Sequence, residues 1–323
     1  MKILVIRFSS IGDIVLTTPV IRCLKEQLHN AEIHYLTKPA FQTVLASNPY
    51  IDKLHLLGKS IGETVKSLKQ EKFDCVIDLH NNLRTGLIKS RLGVKSSSFK
   101  KLNFQKWLLV NFKMDVMPNK HIVERYLDAA AFLGIKNDGK GLDYFLQKEY
   151  SLSDLLPPAH QKFVGIVIGA QHATKRLPEH KLIEICRLLD KPIVLLGGKE
   201  DADRGNSIAL ASGEHVFNGC GKFSLDQSAF LVKMAERIIT HDTGLMHIAA
   251  AFNKPIVSVW GNTVPELGMY PYKTDQNQLF KVEGLKCRPC SKIGYKKCPL
   301  GHFKCMNEQD TKAIAAAARP DPR

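Results

Sequence analysis

KILVIRFSSIGDIVLTTP, residues 2–19, opens the chain with an apolar run, a short polar turn around one glycine and a carboxylate, and then a helical pattern. Six residues as apolar as 2–7 read as a strand buried on both faces, which belongs in a parallel sheet. The same alternation continues outward. Strand patterns at 31–37 (AEIHYLT), 51–57 (IDKLHLL) and 73–80 (FDCVIDLH) are separated by helical patterns at 13–28, 39–47 and 60–71, with Pro19 an irregularity inside the first helix. The pattern loosens over 93–120 and recovers as an amphipathic helix at 121–133. After a Gly-, Asp- and Ser-containing stretch at 134–160 with Pro157-Pro158, a second alternation begins. Strands are expected at 162–170, 192–198, 215–219, 237–242 and 255–261, and helices at 178–189, 199–211, 224–235 and 244–252. The tail, 313–323, reads as helical and then frayed. The expected fold class is α/β, with two Rossmann-like, doubly wound domains spanning 1–155 and 156–323.

A chain of 323 residues has the length for two such domains. Hydrophobic residues at 44% and charged residues at 24% are those of a globular protein, and no apolar run approaches the roughly 18 residues that span a bilayer. The first residues carry too short an apolar stretch for a secretory signal, so a reducing, cytoplasmic setting is expected. The formal charge of +15 points to an anionic partner. Ten Lys/Arg against Asp115 and Glu124 lie between Arg84 and Arg125, which reads either as a solvated face or as a docking surface for an anionic acceptor.

In open parallel sheets ligands bind beyond the carboxyl ends of the strands, so the loops there hold the candidate residues. The first, SSIGD (9–13), has one glycine where a dinucleotide fingerprint needs G-x-G-x-x-G, and it lacks the lysine of a Walker A loop. Ser10 or Asp13 can cap the following helix; alternatively Asp13 serves as a general base. The loop HDTGLMHIAAA (241–251) places Asp242 at a strand end with Thr243 and Gly244 at a helix start. Free amides and the positive end of the helix dipole there favour a phosphate. His247 lies on the same helix, either packed or facing that anion.

The two stretches KILVIRFSSIGDIVLTTP (2–19) and HDTGLMHIAAAFNKPIVSVWGNTVP (241–265), in this order and spacing, resemble glycosyltransferase family 9, the ADP-heptose:lipopolysaccharide heptosyltransferases. The resemblance implies a GT-B architecture with the active site in the cleft between two Rossmann-like domains. It also implies metal-independent inverting transfer. Asp13 then matches the family's catalytic base, with Ser9, Ser10 and Arg84 toward the acceptor. Lys175 of ATKRLPEH matches a phosphate-contacting lysine, and Leu177 stands where the family commonly has an aromatic. Glu200 of GGKED, with Asp201 beside it, falls near the acidic donor contact. Lys222 and Phe223 of GCGKFSL edge the adenine, and Asp242, Thr243, Gly244 and His247 match the donor motif D-T-G-x-x-H. The implied partners are an ADP-sugar donor and an anionic lipid-linked saccharide acceptor. A monomer in peripheral contact with the inner membrane surface is expected, without nucleic acid. The competing readings are a different sugar-nucleotide enzyme such as an epimerase, and a basic nucleic-acid-binding protein with a zinc knuckle.

That knuckle would be CRPCSKIGYKKCPLGHFKC, where Cys287, Cys290, Cys298 and Cys305 have the spacing C-x2-C-x7-C-x6-C around His302. Tight cysteine pairs suit tetrahedral zinc. Disulfides and free thiols are the alternatives, and a structural element without a cofactor is the reading favoured. Cys23, Cys75, Cys186 and Cys220 read as reduced core thiols.

Overall fold

The computed structural model describes residues 1–319. It divides into two compact units, one comprising Met1–Leu102 and Lys120–Gln147, the other Asn103–Asn119 and the chain from Lys148 on. The chain thus changes unit at 147/148 rather than near 155, and the segment 103–119 leaves the first half to join the second.

In the first unit β1 (Lys2–Ile6), β2 (Glu32–Thr37), β3 (Lys53–Leu56), β4 (Cys75–Asp78) and β5 (Lys95–Ser98) form one parallel sheet in the order β3-β2-β1-β4-β5. β1 is central and buried from Ile3 to Ile6, which is why its sequence is continuously apolar rather than alternating. Leu4, Ile6, Leu36, Val65, Leu68 and Val76 close the core on one face. The expected helix at 13–28 is broken into Ile11–Val15 and Thr18–Gln27. Proline has no N–H to donate, so Pro19 sits in the first turn of a new helix, where that donor would be unsatisfied anyway. The segment expected as a helix at 39–47 is a 3-10 turn, Pro39–Val44.

In the second unit β6 (Val164–Val167), β7 (Ile193–Leu196), β8 (Val216–Asn218), β9 (Arg237–His241), β10 (Ile256–Trp260) and β11 (Asn277–Lys281) are all parallel, in the order β11-β10-β9-β6-β7-β8. Its core packs Ile166, Leu195, Ile239, Val257 and Val259 against Leu182, Ile185 and Ile314 of helices Glu179–Leu188 and Thr311–Ala318. The frayed end expected after that last helix lies outside the described residues from 320 on.

Both sheets are doubly wound about a switch point. The chain winds from β1 through β2 to β3, then returns to the other side of β1 for β4 and β5. Likewise it winds from β6 through β7 to β8 and returns beyond β6 for β9 to β11. Crevices therefore open at the carboxyl ends between β1 and β4, and between β6 and β9.

Candidate active site

Lys175 follows β6 and Asp242 follows β9, so they flank the crevice of the second sheet. Lys175 Nζ lies 2.6 Å from Asp242 Oδ2, with both side chains largely buried. Thr263 donates its hydroxyl to the same carboxylate oxygen at 3.1 Å. The next residue, Thr243, is the N-cap of helix Gly244–Ala251. It has the extended backbone of a cap but no side-chain capping bond, and its buried Oγ1 has no hydrogen-bond partner among the described residues. A buried hydroxyl without a partner costs free energy. A ligand oxygen at this helix start would remove that cost, and the amides and dipole there favour an anion. His247 lies one turn along the helix and is buried.

The loop carrying Lys175 is held by three residues outside it and by one internal bond. His241, at the end of β9, accepts the Leu177 N–H on Nε2 at 3.0 Å. That bond places the ring proton on Nδ1. Burial, reinforced by Arg204 and Arg176, pushes the imidazole pKa down to about 3, so it stays neutral. Arg204 donates to the Leu177 and Ile168 carbonyls, and Arg176 to the Ala170 carbonyl. Thr174 exchanges bonds with the backbone of Tyr295, giving its N–H to the Tyr295 carbonyl at 3.2 Å and accepting the Tyr295 N–H at 2.8 Å.

Tyr295 belongs to the cysteine-rich segment, which therefore braces the candidate site. Gly294, at φ +120°, lies so close to His172 that a Cβ would come within 2.6 Å of that side chain. Arg288 donates to the Thr263 carbonyl at 2.9 Å, supporting the residue that grips Asp242. All four cysteines are free of disulfides, Cys287 Sγ lies 4.0 Å from His302 Nε2, and burial pushes the Cys305 thiol up to about 12. Among the described residues, the only group of three or more His, Cys, Asp or Glu whose ligand atoms lie within 4.8 Å of one another is His34, His55 and Glu71 in the first unit. There Glu71 is engaged by Lys53 at 2.6 Å and Lys2 at 3.5 Å, and His34 Nε2 meets Glu32 at 2.7 Å, which makes a closed polar network.

Farther along the same sheet edge, the loops after β7 and β8 hold the remaining donor candidates. Asp201 is buried: its Oδ2 accepts the Gly198 N–H at 3.0 Å, and Arg176 lies 3.3 Å from Oδ1. Gly169 is required there, since a Cβ would lie 2.2 Å from Asp201 Oδ2. Asp201 thus shapes the turn, while Glu200 is exposed at its tip. Lys222 is exposed, with Nζ 4.5 Å from the Phe217 ring centroid, and Phe223 packs on Gly219. A recess of about 280 Å³ opens between Lys199, Asn218 and Lys222. Residues at the ends of β9, β6, β7 and β8 span three strand spacings, roughly 14 Å, enough for an extended nucleotide ligand.

The first sheet repeats the arrangement. Asp13 follows β1 and Arg84 follows β4, flanking the second crevice. Asp13 Oδ1 lies 2.8 Å from the guanidinium of Arg7, and Oδ2 accepts from the Ser10 N–H at 3.2 Å and the Ser10 hydroxyl at 2.8 Å. Arg7 is itself fixed by the Ser9 and Leu79 carbonyls and the Tyr126 hydroxyl. Asp13 therefore does cap the helix with Ser10, yet its side chain remains partly accessible beside a buried cation. Arg84 is exposed in the first turn of Leu83–Leu92, a helix capped by Asn82. His80 lies between them in sequence, with its pKa pushed down to about 4 by burial and then by Arg7 and Lys101.

The sequence matches the model of glycosyltransferase family 9 (heptosyltransferase) over residues 61–300. The chain belongs to that family. Lipopolysaccharide heptosyltransferase 1 of Campylobacter coli is 27% identical over 290 residues, covering 81% of this chain and 84% of that protein. A family 9 glycosyl transferase from Veillonella parvula shares the fold with a TM-score of 0.80 at 21% identity, over 98% of this chain and 96% of that one. The E. coli ADP-heptose lps heptosyltransferase II does so with a TM-score of 0.71 at 21% identity, over 98% and 99%. As a family 9 member the protein is a glycosyltransferase with two parallel α/β sheets. Sequence reasoning did not single out His241, Thr263, Arg288 or Arg7. Each acts through a partner distant in sequence or on the main chain, a relation no local motif displays.

Proposed function

We propose that this glycosyltransferase moves a heptose or related sugar from an ADP-sugar to the core of a lipopolysaccharide acceptor, with inversion and without a metal. The observation that carries the donor half is Lys175 beside Thr243 at the switch point of the second sheet: a buried ammonium, an unpartnered hydroxyl and a helix start converge on one crevice. The pyrophosphate would lie there, with Lys175 and the helix amides balancing the charge that grows on the departing ADP. Glu200, Lys222 and Phe223 would edge the nucleoside along the sheet. Relatives named for lipopolysaccharide and ADP-heptose support the sugar and the nucleotide.

The first unit supplies the acceptor side. Asp13 takes the proton from the acceptor hydroxyl as its oxygen attacks the anomeric carbon, while the bond from that carbon to the phosphate oxygen breaks. Direct attack opposite the leaving group inverts the anomeric configuration. Arg7 holds the Asp13 carboxylate in place, and Ser9, Ser10 and Arg84 bind the acceptor. The lysines between 84 and 125 favour an anionic, lipid-linked saccharide, and the same reading includes a monomeric enzyme in peripheral contact with the cytoplasmic face of the inner membrane. Thermal shift against ADP-, UDP- and GDP-sugars tests the reading. A ligand at a hundred times its Kd stabilises by about 2.7 kcal/mol. ADP-sugars alone should raise Tm, and a preference for UDP- or GDP-sugars would overturn the donor assignment.

A further inference from the structure

The segment that leaves the first half of the chain to join the second unit carries an unpartnered aromatic face. Helix Asn103–Phe112 (NFQKWLLVNF) turns Leu109 inward, where with Met117 it packs on Val264 and Leu267. Its opposite face is apolar too. Phe104, Trp107 and Phe112 are 66, 50 and 58% exposed, and Met114 and Val116, just after the helix, are exposed as well. The three rings touch one another rather than a core: Phe104 and Trp107 stack at 6.2 Å, and Trp107 meets Phe112 edge-on at 5.1 Å. Contiguous exposed apolar surface of this kind marks an interaction site. Between 100 and 120 the charges are Lys100, Lys101, Lys106, Lys113 and Lys120 against Asp115, and with Lys120 paired to Asp128 at 2.6 Å the segment keeps a clear positive excess.

We propose that this face, Phe104, Trp107 and Phe112 with Met114 and Val116, docks the protein on an anionic lipid bilayer surface. Aromatic rings settle at the boundary between headgroups and acyl chains, and lysines beside them meet the anionic headgroups. A two-fold dimer through the same face would press lysines against lysines, so charge favours lipid over a second copy. No helix of the described residues is long and apolar enough to cross a membrane, so the contact is interfacial. The inference deepens the peripheral reading given above, but it concerns lipid binding and stands without sugar transfer.

The test is co-sedimentation of the full chain with vesicles of phosphatidylglycerol and phosphatidylethanolamine, compared with vesicles of phosphatidylcholine alone. Trp260 is buried, so a change in tryptophan emission on binding reports Trp107. The protein should bind the anionic vesicles, its emission should shift to the blue, and brominated lipid should quench it. The triple variant F104S/W107S/F112S should lose about tenfold or more in partitioning while keeping its Tm. Should that variant fail to fold, quenching of Trp107 in the unmodified protein still decides. Wild-type protein left in the supernatant, emission that stays unshifted and unquenched, or a dimer abolished by the triple variant would each overturn the proposal. Vesicle binding without transfer from an ADP-sugar would reject the proposed heptose transfer and leave this inference intact.

Discussion

Lys175 Nζ meets Asp242 Oδ2 at 2.6 Å although the residues follow strands on opposite sides of the second sheet's switch point. The pair closes the crevice where an anionic ligand would enter and keeps a buried cation balanced meanwhile. A phosphate that takes Lys175 from Asp242 leaves that carboxylate held by Thr263, which Arg288 supports in turn. The residues flanking this crevice and the cysteine-rich segment are therefore joined by a continuous run of hydrogen bonds.

Lys175→Ala should weaken ADP binding far more than adenosine binding. A charge-assisted hydrogen bond is worth about 1.5–3 kcal/mol, so the loss for ADP is roughly tenfold or more. Calorimetric titration with both ligands reads it. Equal losses would remove Lys175 from the phosphate site.

His241 gives a pH dependence with a defined sign. Its pKa is about 3 in the folded chain, against 6.5 for the ordinary imidazole. Between those values the unfolded chain binds a proton that the native chain does not. The contribution is therefore fully present above pH 6.5 and is lost as pH falls toward 3, at up to about 1.4 kcal/mol per pH unit. His241→Gln keeps an acceptor for the Leu177 N–H but does not titrate. Its Tm should fall less between pH 7 and pH 5 than that of the unmodified protein, and parallel acid limbs would show that His241 does not carry the effect.

How far these sites were legible follows from how each residue is held. The apolar runs of β1, β4, β6 and β9 announce a parallel sheet because both their faces are buried. β5 (KSSS) and β11 (NQLFK) are edge strands with half-exposed side chains, so no apolar pattern marks them, and 93–120 reads as loose although it holds β5 and a helix. Asp13 and the Asp242–Thr243–Gly244 turn are visible as strand-end motifs. The choice between Glu200 and Asp201 is not, because it depends on the bond from Gly198 N–H to Asp201 that sends one carboxylate inward and leaves the other exposed. His241, Thr263 and Arg288 are silent in sequence because their partners lie 64, 21 and 25 residues away.

The cysteine segment braces the Lys175 loop through Tyr295 and Thr174, contacts made by backbone and hydroxyl groups rather than by sulfur. Elemental analysis of purified protein should give well under one zinc per chain, and transfer should survive a chelator. Stoichiometric zinc whose removal unfolds the second unit would make the four thiolates its ligands.

Replacing Lys95, Lys100 and Lys101 by Gln should raise the acceptor KM and leave donor affinity nearly unchanged. The effect should shrink as salt rises, since screening acts over about 8 Å at physiological ionic strength. If donor and acceptor affinity fall together, the substitutions have disturbed the fold as a whole rather than the acceptor surface.

The sharpest test of the chemistry is Asp13→Asn. Asn has the same shape, and its side-chain oxygen can still accept from the Ser10 N–H and hydroxyl that Asp13 Oδ2 engages at 3.2 and 2.8 Å. It gives up the charge facing Arg7 at 2.8 Å, but Arg7 keeps the Ser9 and Leu79 carbonyls and the Tyr126 hydroxyl. Tm should therefore fall by only a few degrees, and ADP-sugar binding should persist, because every proposed donor contact lies in the second unit. What Asn cannot do is take a proton from the acceptor hydroxyl. General-base catalysis typically contributes about 10²–10⁴-fold, so kcat should drop at least roughly a hundredfold while donor KM holds. His80, the nearest alternative along the β4 loop, has its pKa pushed down to about 4 and is a weak base at neutral pH, so it would not restore the rate. Near-normal turnover in the variant would reduce Asp13 to a helix cap and move the proton acceptor elsewhere.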